Sequence, residues 1–233
     1  MPWLSIALAF RPGLTDKTKR ALAPQLKMYK LPYFQEEDRD KVIAFMKANP
    51  FAVVTGIGNE YPVASHLPLN FETREDKIFL TGHLMKSTDH HKAFEKNENV
   101  LVIFNGPHCF VTAEWYAQPL SGSTWNYITV HAKGKIKFLD AAATLKAIND
   151  ITNKYVGMNN AASFDKLPDE YISSMVKAIV GFEIEVISFD NVFKLSQNHD
   201  EADRKVIIQK LKERGDYNSL AMAEVMGERM GNS

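Results

Sequence analysis

The stretch STWNYITVHAKG, residues 123–134, decides the fold because it reads as a β-strand with two unlike faces. Side chains along a strand point alternately to opposite sides of a sheet. The face that we predict to lie against a core carries Asn126, Ile128, Val130, Ala132 and Gly134. The opposite face carries Trp125, Tyr127, Thr129, His131 and Lys133. Because this second face is aromatic and hydrogen-bonding throughout, it predicts a binding surface rather than ordinary solvent exposure.

Segments on both sides of this strand predict a protein that is mainly β with α decoration. The strands are expected over 51–57, 63–71, 77–82, 99–106, 108–116, 123–140 and 180–190, the first three as an antiparallel meander. Helices are expected over 35–50, 87–97, 141–156, 167–179, 200–214 and 219–230. Since the strands are not separated by regular crossover helices, the pattern favours a closed or partly closed β-barrel over a parallel doubly wound sheet.

Composition and charge limit the class of protein. Lys plus Arg equals Asp plus Glu at 28 each in 233 residues, which argues against a strongly basic nucleic-acid binder. The single cysteine, Cys109, rules out an intrachain disulfide and fits a reducing, cytoplasmic location. No apolar run approaches the roughly 18 residues of a membrane span, so we expect no membrane partner.

The chain is expected to divide into three parts. Residues 1–27 lack periodicity and precede a second methionine, Met28, so we predict an extension outside the core domain. Residues 28–196 are expected to form the barrel domain with its inserted helices. Residues 197–233 are expected to form a helical tail.

The sequence lacks the motifs that are typical of metal sites, nucleophilic catalysis and nucleotide binding. His83, Asp89, His90 and His91 lie close in sequence, but neighbouring helical residues point about 100° apart, so no metal site is predicted. Cys109 follows His108 on a strand, so the two face opposite ways and Cys109 is expected in the core. The sequence has no nucleophile elbow, phosphate loop or dinucleotide fingerprint. We therefore assign no catalytic residue.

Four short segments place hydrogen-bonding groups on strands or strand ends. They are SHLP (65–68), TGH (81–83), GPH (106–108) and WNYITVH (125–131), and six of the seven histidines lie in or near them. Binding sites are common at the ends of strands, where loops meet the edge of a sheet or barrel. The pattern suits a planar ligand that carries a phosphate, with the phosphate at the start of the helix over 88–96.

These motifs, in their order, resemble the PaiB family of FMN-binding negative transcriptional regulators. The resemblance rests on ASHLPL, on TGH before a basic helix, and on LVIFNGPH, TWNYITVHAKGK, IVGFEIEV and KLSQN, and it covers about residues 28–226. It implies an FMN-binding split β-barrel of the pyridoxamine-phosphate-oxidase-like type. It also implies a homodimer that holds the flavin in a groove between subunits.

The resemblance further implies which residues hold the cofactor. They are Ser65, His66, Leu67, Pro68, Thr81, Gly82, His83, Lys92, Trp125, Asn126 and Tyr127. The first four would line the isoalloxazine and the next three would sit beside the ribityl chain and phosphate. Lys92 matches a phosphate-contacting position, and the last three would approach from the rim or the partner. Strand alternation points Asn126 away from its two neighbours, so all three reach one ligand only through a bulge or the partner subunit.

Departures from the flavin oxidases of this fold leave alternatives open. Ser65 stands where those enzymes have an arginine, and HHK (90–92) replaces their Ser-Arg-Lys signature. A flavin-dependent oxidoreductase is one alternative. A haem-handling protein with His83 or His199 as axial ligand is another, and a barrel that has lost its ligand is a third.

The C-terminal helices are expected to pack on the barrel or on a dimer partner. Between residues 200 and 230 there are seven acidic and six basic side chains. These helices therefore lack the excess of positive charge that is typical of a DNA-binding surface. Val206, Ile207 and Leu211 are predicted to form the packing stripe. If the protein contacts DNA, we expect it to use another surface, which the sequence does not identify.

Overall fold

One antiparallel sheet of seven strands organises the fold in our computed structural model, which describes residues 31–118, 122–157 and 160–231. The strands are β1 (Phe51–Gly56), β2 (Val63–Pro68), β3 (Asn70–Arg74), β4 (Lys77–Met85), β5 (Asn99–Val111), β6 (Thr124–Phe138) and β7 (Ile179–Lys194). Their order across the sheet is β2-β1-β5-β6-β7-β4-β3. All neighbouring pairs run antiparallel.

Six α-helices decorate the sheet within the same ranges. They are α1 (Arg39–Ala48), α2 (Asp89–Lys96), α3 (Ala141–Val156), α4 (Asp169–Ala178), α5 (Glu201–Arg214) and α6 (Tyr217–Gly231). Side chains of Asp38, Thr88, Asp140 and Asp200 accept backbone N–H bonds at the starts of α1, α2, α3 and α5. The first helix begins at Arg39, later than predicted, because Asp38 is its N-cap: the Asp38 backbone is extended and its side chain accepts from the N–H groups of Asp40 and Lys41.

The sheet curls until its two edges meet. β2 and β3 lie at opposite edges, yet Leu69 alone separates them in sequence. The edges must therefore approach each other at Leu69, whose N–H donates to the carbonyl of Pro50 at 2.9 Å. We call this junction of β2 and β4 beside Leu69 the seam. The predicted meander is wrong in one respect, because the strand over 63–71 breaks at Leu69 and only its end pairs with β4.

The opening stretch forms β6, and its two faces are as predicted except at Thr129. Asn126, Ile128, Val130, Ala132 and Gly134 are all buried against the barrel interior. Trp125 and Lys133 are exposed, and Tyr127 and His131 are half-buried, on what we call the outer face. Thr129 of that face differs from the prediction, because it is buried with its hydroxyl donating to the carbonyl of Phe104 at 3.0 Å. Gly134 lies so close to β7 that an added Cβ would stand 2.7 Å from the carbonyl oxygen of Glu185.

The strands predicted over 99–106 and 108–116 form one long strand, β5. Its pairing with β6 is irregular between Asn105 and His108. Pro107 has no N–H to donate to the ladder, so the pairing is interrupted there without ending the strand.

The C-terminal helices pack on the barrel, which confirms that part of the predicted fold. Ile207 and Leu211 of α5, with Met222 and Met226 of α6, are fully or almost fully buried in the main apolar core. The prediction for Val206 is wrong, since its side chain is 41% exposed. Val206 precedes Ile207 by one residue, and adjacent helical residues point about 100° apart.

The prediction for residues 1–27 falls outside the described residues. In the part of the chain that the structure describes, none of the helices has the length and apolar character needed to cross a bilayer.

Candidate functional site

The seam brings together two of the predicted segments. Gly82 lies so close to β2 and its continuation that an added Cβ would stand 3.1 Å from the Leu69 side chain and 3.3 Å from the carbonyl oxygen of Pro68. The end of SHLP and the centre of TGH are therefore neighbours. Leu67, Pro68, Thr81 and His83 are half-buried there, and His66 is exposed.

His83 holds an unsatisfied polar atom next to the seam. Its Nδ1 is buried and has no hydrogen-bond partner among the described residues. Burial lowers the pKa of His83 below its ordinary value, so the imidazole is neutral at pH 7. His83 pairs with Gly181 of β7, whose N–H donates to Thr144 Oγ1 of α3 at 2.9 Å. The helix α3 thus covers this part of the sheet and explains the burial.

A cavity of about 690 Å³ adjoins the seam. Leu69 and Thr81 line it, together with Lys47, Lys146 and Lys154. Lys146 is paired with Asp150 at 2.6 Å, whereas Lys47 and Lys154 form no ion pair within the described ranges. Sequence reasoning missed these lysines, although Lys146, Asp150 and Lys154 follow one helix face at a spacing of four residues.

The outer face of β1, β2, β5 and β6 carries a second group of aromatic and imidazole side chains. The ring centroids of Phe51 and His66 are 6.3 Å apart. Trp125 lies 6.2 Å from His108 and 6.0 Å from Phe110. Phe51, Phe110 and Trp125 are all more than 40% exposed, so this face is open in a single chain.

Asn126 lies inside the barrel, apart from Trp125 and Tyr127. Its Nδ2 donates to Ser196 Oγ at 2.9 Å and lies 3.7 Å from Met226 Sδ. The amide therefore joins the barrel to α6. Ser65 is also buried on the interior side, so neither side chain faces the open surface.

Lys92 faces a different cavity from the seam. This space of about 460 Å³ lies between α2 and residues 57–63, and Asp89 and Lys96 also line it. The start of α2 is partly satisfied by its own chain, because Thr88 Oγ1 accepts from the N–H of His91 and His91 Nδ1 accepts from the N–H of Ser87. Lys86 Nζ donates to the carbonyl of Val176.

The described residues hold no group of three or more His, Cys, Asp and Glu side chains arranged to bind a metal ion. Cys109 is buried as predicted, and burial raises the pKa of its thiol to about 11. The thiolate that a nucleophile requires is therefore scarce at neutral pH.

The seam fits a phosphate-bearing planar cofactor. The adjoining cavity lies within the size range of cofactor sites, roughly 300–1,000 Å³. His83 does not line that cavity, but it follows Thr81 by two residues on β4, and its unsatisfied Nδ1 offers a hydrogen-bonding group next to the seam. Three lysines (Lys47, Lys146 and Lys154) and two carboxylates (Glu72 and Asp150) line the same space, so its walls carry net positive charge. Trp125 and Tyr127 do not line it in the same chain.

The architecture is that of a split β-barrel, mainly β with helices packed on it, and solved structures share it. The chain matches the flavocytochrome Anf3 from Azotobacter vinelandii with a TM-score of 0.55 and 16% identity, covering 74% of this chain and 75% of that one. It matches the FAD and heme binding protein from Mycobacterium smegmatis with a TM-score of 0.52 and 14% identity, covering 78% and 80%. These similarities confirm the predicted fold.

Sequence comparison gives the family. The model described as "Putative FMN-binding domain" matches residues 28–188. The chain is 33% identical over 204 residues to protease synthase and sporulation protein PAI 2 of Bacillus subtilis (strain 168), covering 87% of this chain and 98% of that protein. This chain belongs to the PaiB family of proteins with an FMN-binding domain.

The buried imidazoles predict how stability depends on pH. Burial lowers the pKa of His131 as well as that of His83. Their folded-state pKa values lie below about 6.5, the ordinary value, so the unfolded chain takes up protons first as the pH falls. Stability that is fully present above about pH 6.5 is therefore lost as the pH falls through the folded-state values.

Urea unfolding between pH 7.5 and pH 5 measures this loss. We expect His83→Gln and His131→Gln each to flatten the dependence of unfolding free energy on pH. His108→Gln replaces an exposed imidazole and is the matched control. If unfolding free energy depends on pH equally in the unaltered protein, His83→Gln and His131→Gln, the lowered pKa values of these two histidines are contradicted.

Proposed function

We propose that this chain is a cytoplasmic, PaiB-like negative transcriptional regulator that binds FMN as a homodimer. The observation that carries the regulatory role is the 33% identity to a protein named for protease synthesis and sporulation, over 98% of that protein's length. The FMN-binding family supports the cofactor.

In this proposal the flavin lies at the seam. The backbone of Ser65–Pro68 meets the ring edge, and Thr81, Gly82 and His83 border the ribityl chain. Lys47 and Lys154 face the phosphate because they line the same cavity as Thr81. Lys92, which the family resemblance implies, faces a separate cavity and serves as the comparison in mutagenesis. Asn126 is not among the proposed flavin contacts, because its amide is hydrogen-bonded to Ser196 inside the barrel.

The second copy supplies Trp125 and Tyr127. Within one chain these side chains lie on the open outer face and do not line the cavity at the seam. That face also carries the half-buried apolar side chains of Val53, Leu101 and Ile103. Burying such a face against its symmetry mate is the usual way in which a homodimer forms. The same contact would place the aromatic pair of one copy over the flavin of the other.

We also propose the division of the chain. Residues 28–196 form the flavin-binding barrel and residues 197–233 form a tail that is integral to its core, while residues 1–27 lie outside that unit. The acidic and basic side chains of the tail are nearly equal in number, so the tail does not attract DNA. Regulation would then use a DNA-contacting surface elsewhere on the protein.

The regulatory role is tested by deleting the gene in its own host and measuring transcripts. A negative regulator predicts that a defined set of transcripts rises and falls again when the chain is restored. If no transcript rises under several growth conditions, a repressor role is contradicted.

The cofactor is tested by the absorbance of the freshly purified protein. Bound flavin predicts flavin absorption bands that remain with the protein after incubation with excess FMN and removal of the free flavin by gel filtration. If the protein carries no flavin band after that treatment, the proposed cofactor is contradicted.

One observation keeps a haem-binding function as the second candidate. His83 has a neutral imidazole with an unsatisfied nitrogen. His199, the other candidate axial ligand, has its Nδ1 3.3 Å from Asp203 and its ring 4.2 Å from that of Tyr116. This candidate predicts a Soret band on addition of haemin that is lost in His83→Ala and kept in His199→Ala.

A further inference from the structure

A second cavity, with mainly apolar walls and a few charged side chains, lies between the barrel and its C-terminal helices. Its volume is about 610 Å³, and α1, β6, β7, α5 and α6 all contribute to its walls. Phe45 and Phe193 meet there edge to face, with ring centroids 5.4 Å apart. Ile128 and Val225 extend the apolar wall.

Arg204 is the unusual residue of this cavity. It precedes Ile207 by three positions and Leu211 by seven, so it lies on the face of α5 that packs on the barrel. Its Nε is buried and has no hydrogen-bond partner among the described residues. Within the same ranges the guanidinium makes no ion pair, although an arginine on an inward face ordinarily has one.

The charged side chains that line the cavity make no ion pair with Arg204 in the described ranges, and Glu201 of α5, which interacts with Arg204 electrostatically, is exposed and paired with Lys205. Glu36 is bonded to Arg229, which also lies over the ring of Phe193 at 4.9 Å. Lys41 faces solvent beside Asp38 at 3.9 Å. Glu228 lies at the rim with an exposed side chain, and no contact within 4.0 Å joins it to Arg204.

We propose that this cavity binds a small organic acid, with its carboxylate on Arg204 and an apolar, ring-bearing body against Phe45 and Phe193. A guanidinium binds a carboxylate through charge-assisted hydrogen bonds, which supply the partner that Nε lacks. The aromatic walls favour a flat apolar body. Because the walls come from both the barrel and the tail, the ligand would bridge the two and act as an effector.

Calorimetric titration of the full chain with phenylacetate tests the site. Phenylacetate has the carboxylate and ring that the cavity selects, and 2-phenylethanol has the same ring without a charge. We expect saturable binding of phenylacetate at one site per chain, and 2-phenylethanol to bind at least tenfold more weakly. Equal affinity for the two compounds, or no binding of phenylacetate, would overturn the proposal without recourse to any variant.

Matched variants assign the binding to Arg204. Arg204→Met retains much of the apolar stem and should weaken phenylacetate binding about tenfold or more. Lys205→Met removes the same charge one residue away, from an exposed pair with Glu201, and should change affinity less than twofold. Glu228→Gln removes an exposed carboxylate at the rim and should strengthen binding. If Glu228→Gln weakens it as much as Arg204→Met, the arginine is a structural partner of Glu228 and the proposal fails.

Discussion

Gly134→Ala is expected to destabilise the protein by about 3 kcal/mol, a large fraction of the roughly 5–15 kcal/mol by which folded domains are ordinarily stable. The added Cβ would lie 2.5 Å from Ile184 Cγ2 and 2.7 Å from the carbonyl oxygen of Glu185. A backbone carbonyl in a paired strand cannot rotate away as the end of a side chain can. The pairing of β6 with β7 must therefore open at its irregular point, where the register shifts between Lys133 and Gly134.

Urea unfolding followed by circular dichroism measures this effect. Gly122→Ala is the matched control, because an added Cβ there meets nothing within 4 Å and should change the unfolding free energy by less than about 0.5 kcal/mol. Equal stability of the two variants would show that β6 and β7 are not as close at Gly134 as described.

Leu211→Ala is expected to cost about 3 kcal/mol and to loosen the C-terminal helices from the barrel. The Leu211 side chain is fully buried in the core that α5 shares with the barrel strands. Trp115 reports on this junction, since its ring lies 5.3 Å from the guanidinium carbon of Arg214. Circular dichroism and tryptophan fluorescence should therefore record one shared transition, shifted to lower urea.

Val206→Ala is the control for this prediction. Val206 lies on the same helix with its side chain 41% exposed, so truncating it should alter stability by about 0.5 kcal/mol or less. A tail that unfolds in a separate transition, with Leu211→Ala leaving the barrel transition unchanged, would contradict the shared core.

The strand pattern could be predicted from the sequence because each signal is local. Alternation in β6 predicts both of its faces, and α3 has the predicted bounds of 141–156 because Asp140 caps its start. The break at Leu69 could not be predicted, since VASHLPLNF reads as one strand. The break depends on the closure of the sheet, in which β2 and β3, neighbours in sequence, form opposite edges because β1, β5, β6, β7 and β4 lie between them.

The candidate site was predictable only in part, for the same reason. Pro68 and Gly82 come together because the sheet curls, which no motif states. Lys47 and Lys154 reach the cavity at the seam from two helices that pack independently of the motif strands. Asn126 shows the opposite case, since alternation alone places it inside the barrel, where Ser196 binds it.

The most direct test of the account is a titration of the purified chain with FMN, followed by quenching of flavin fluorescence and by light scattering. The account predicts saturation at one FMN per chain in a particle of twice the 26.4 kDa chain mass. Affinity should fall in Trp125→Ala and in Lys154→Met, and less in Lys92→Met. Riboflavin lacks the phosphate, so it should bind Lys154→Met and the unaltered chain with equal affinity. Flavin fluorescence that stays unchanged at a large excess of protein would contradict the central claim that this barrel binds FMN.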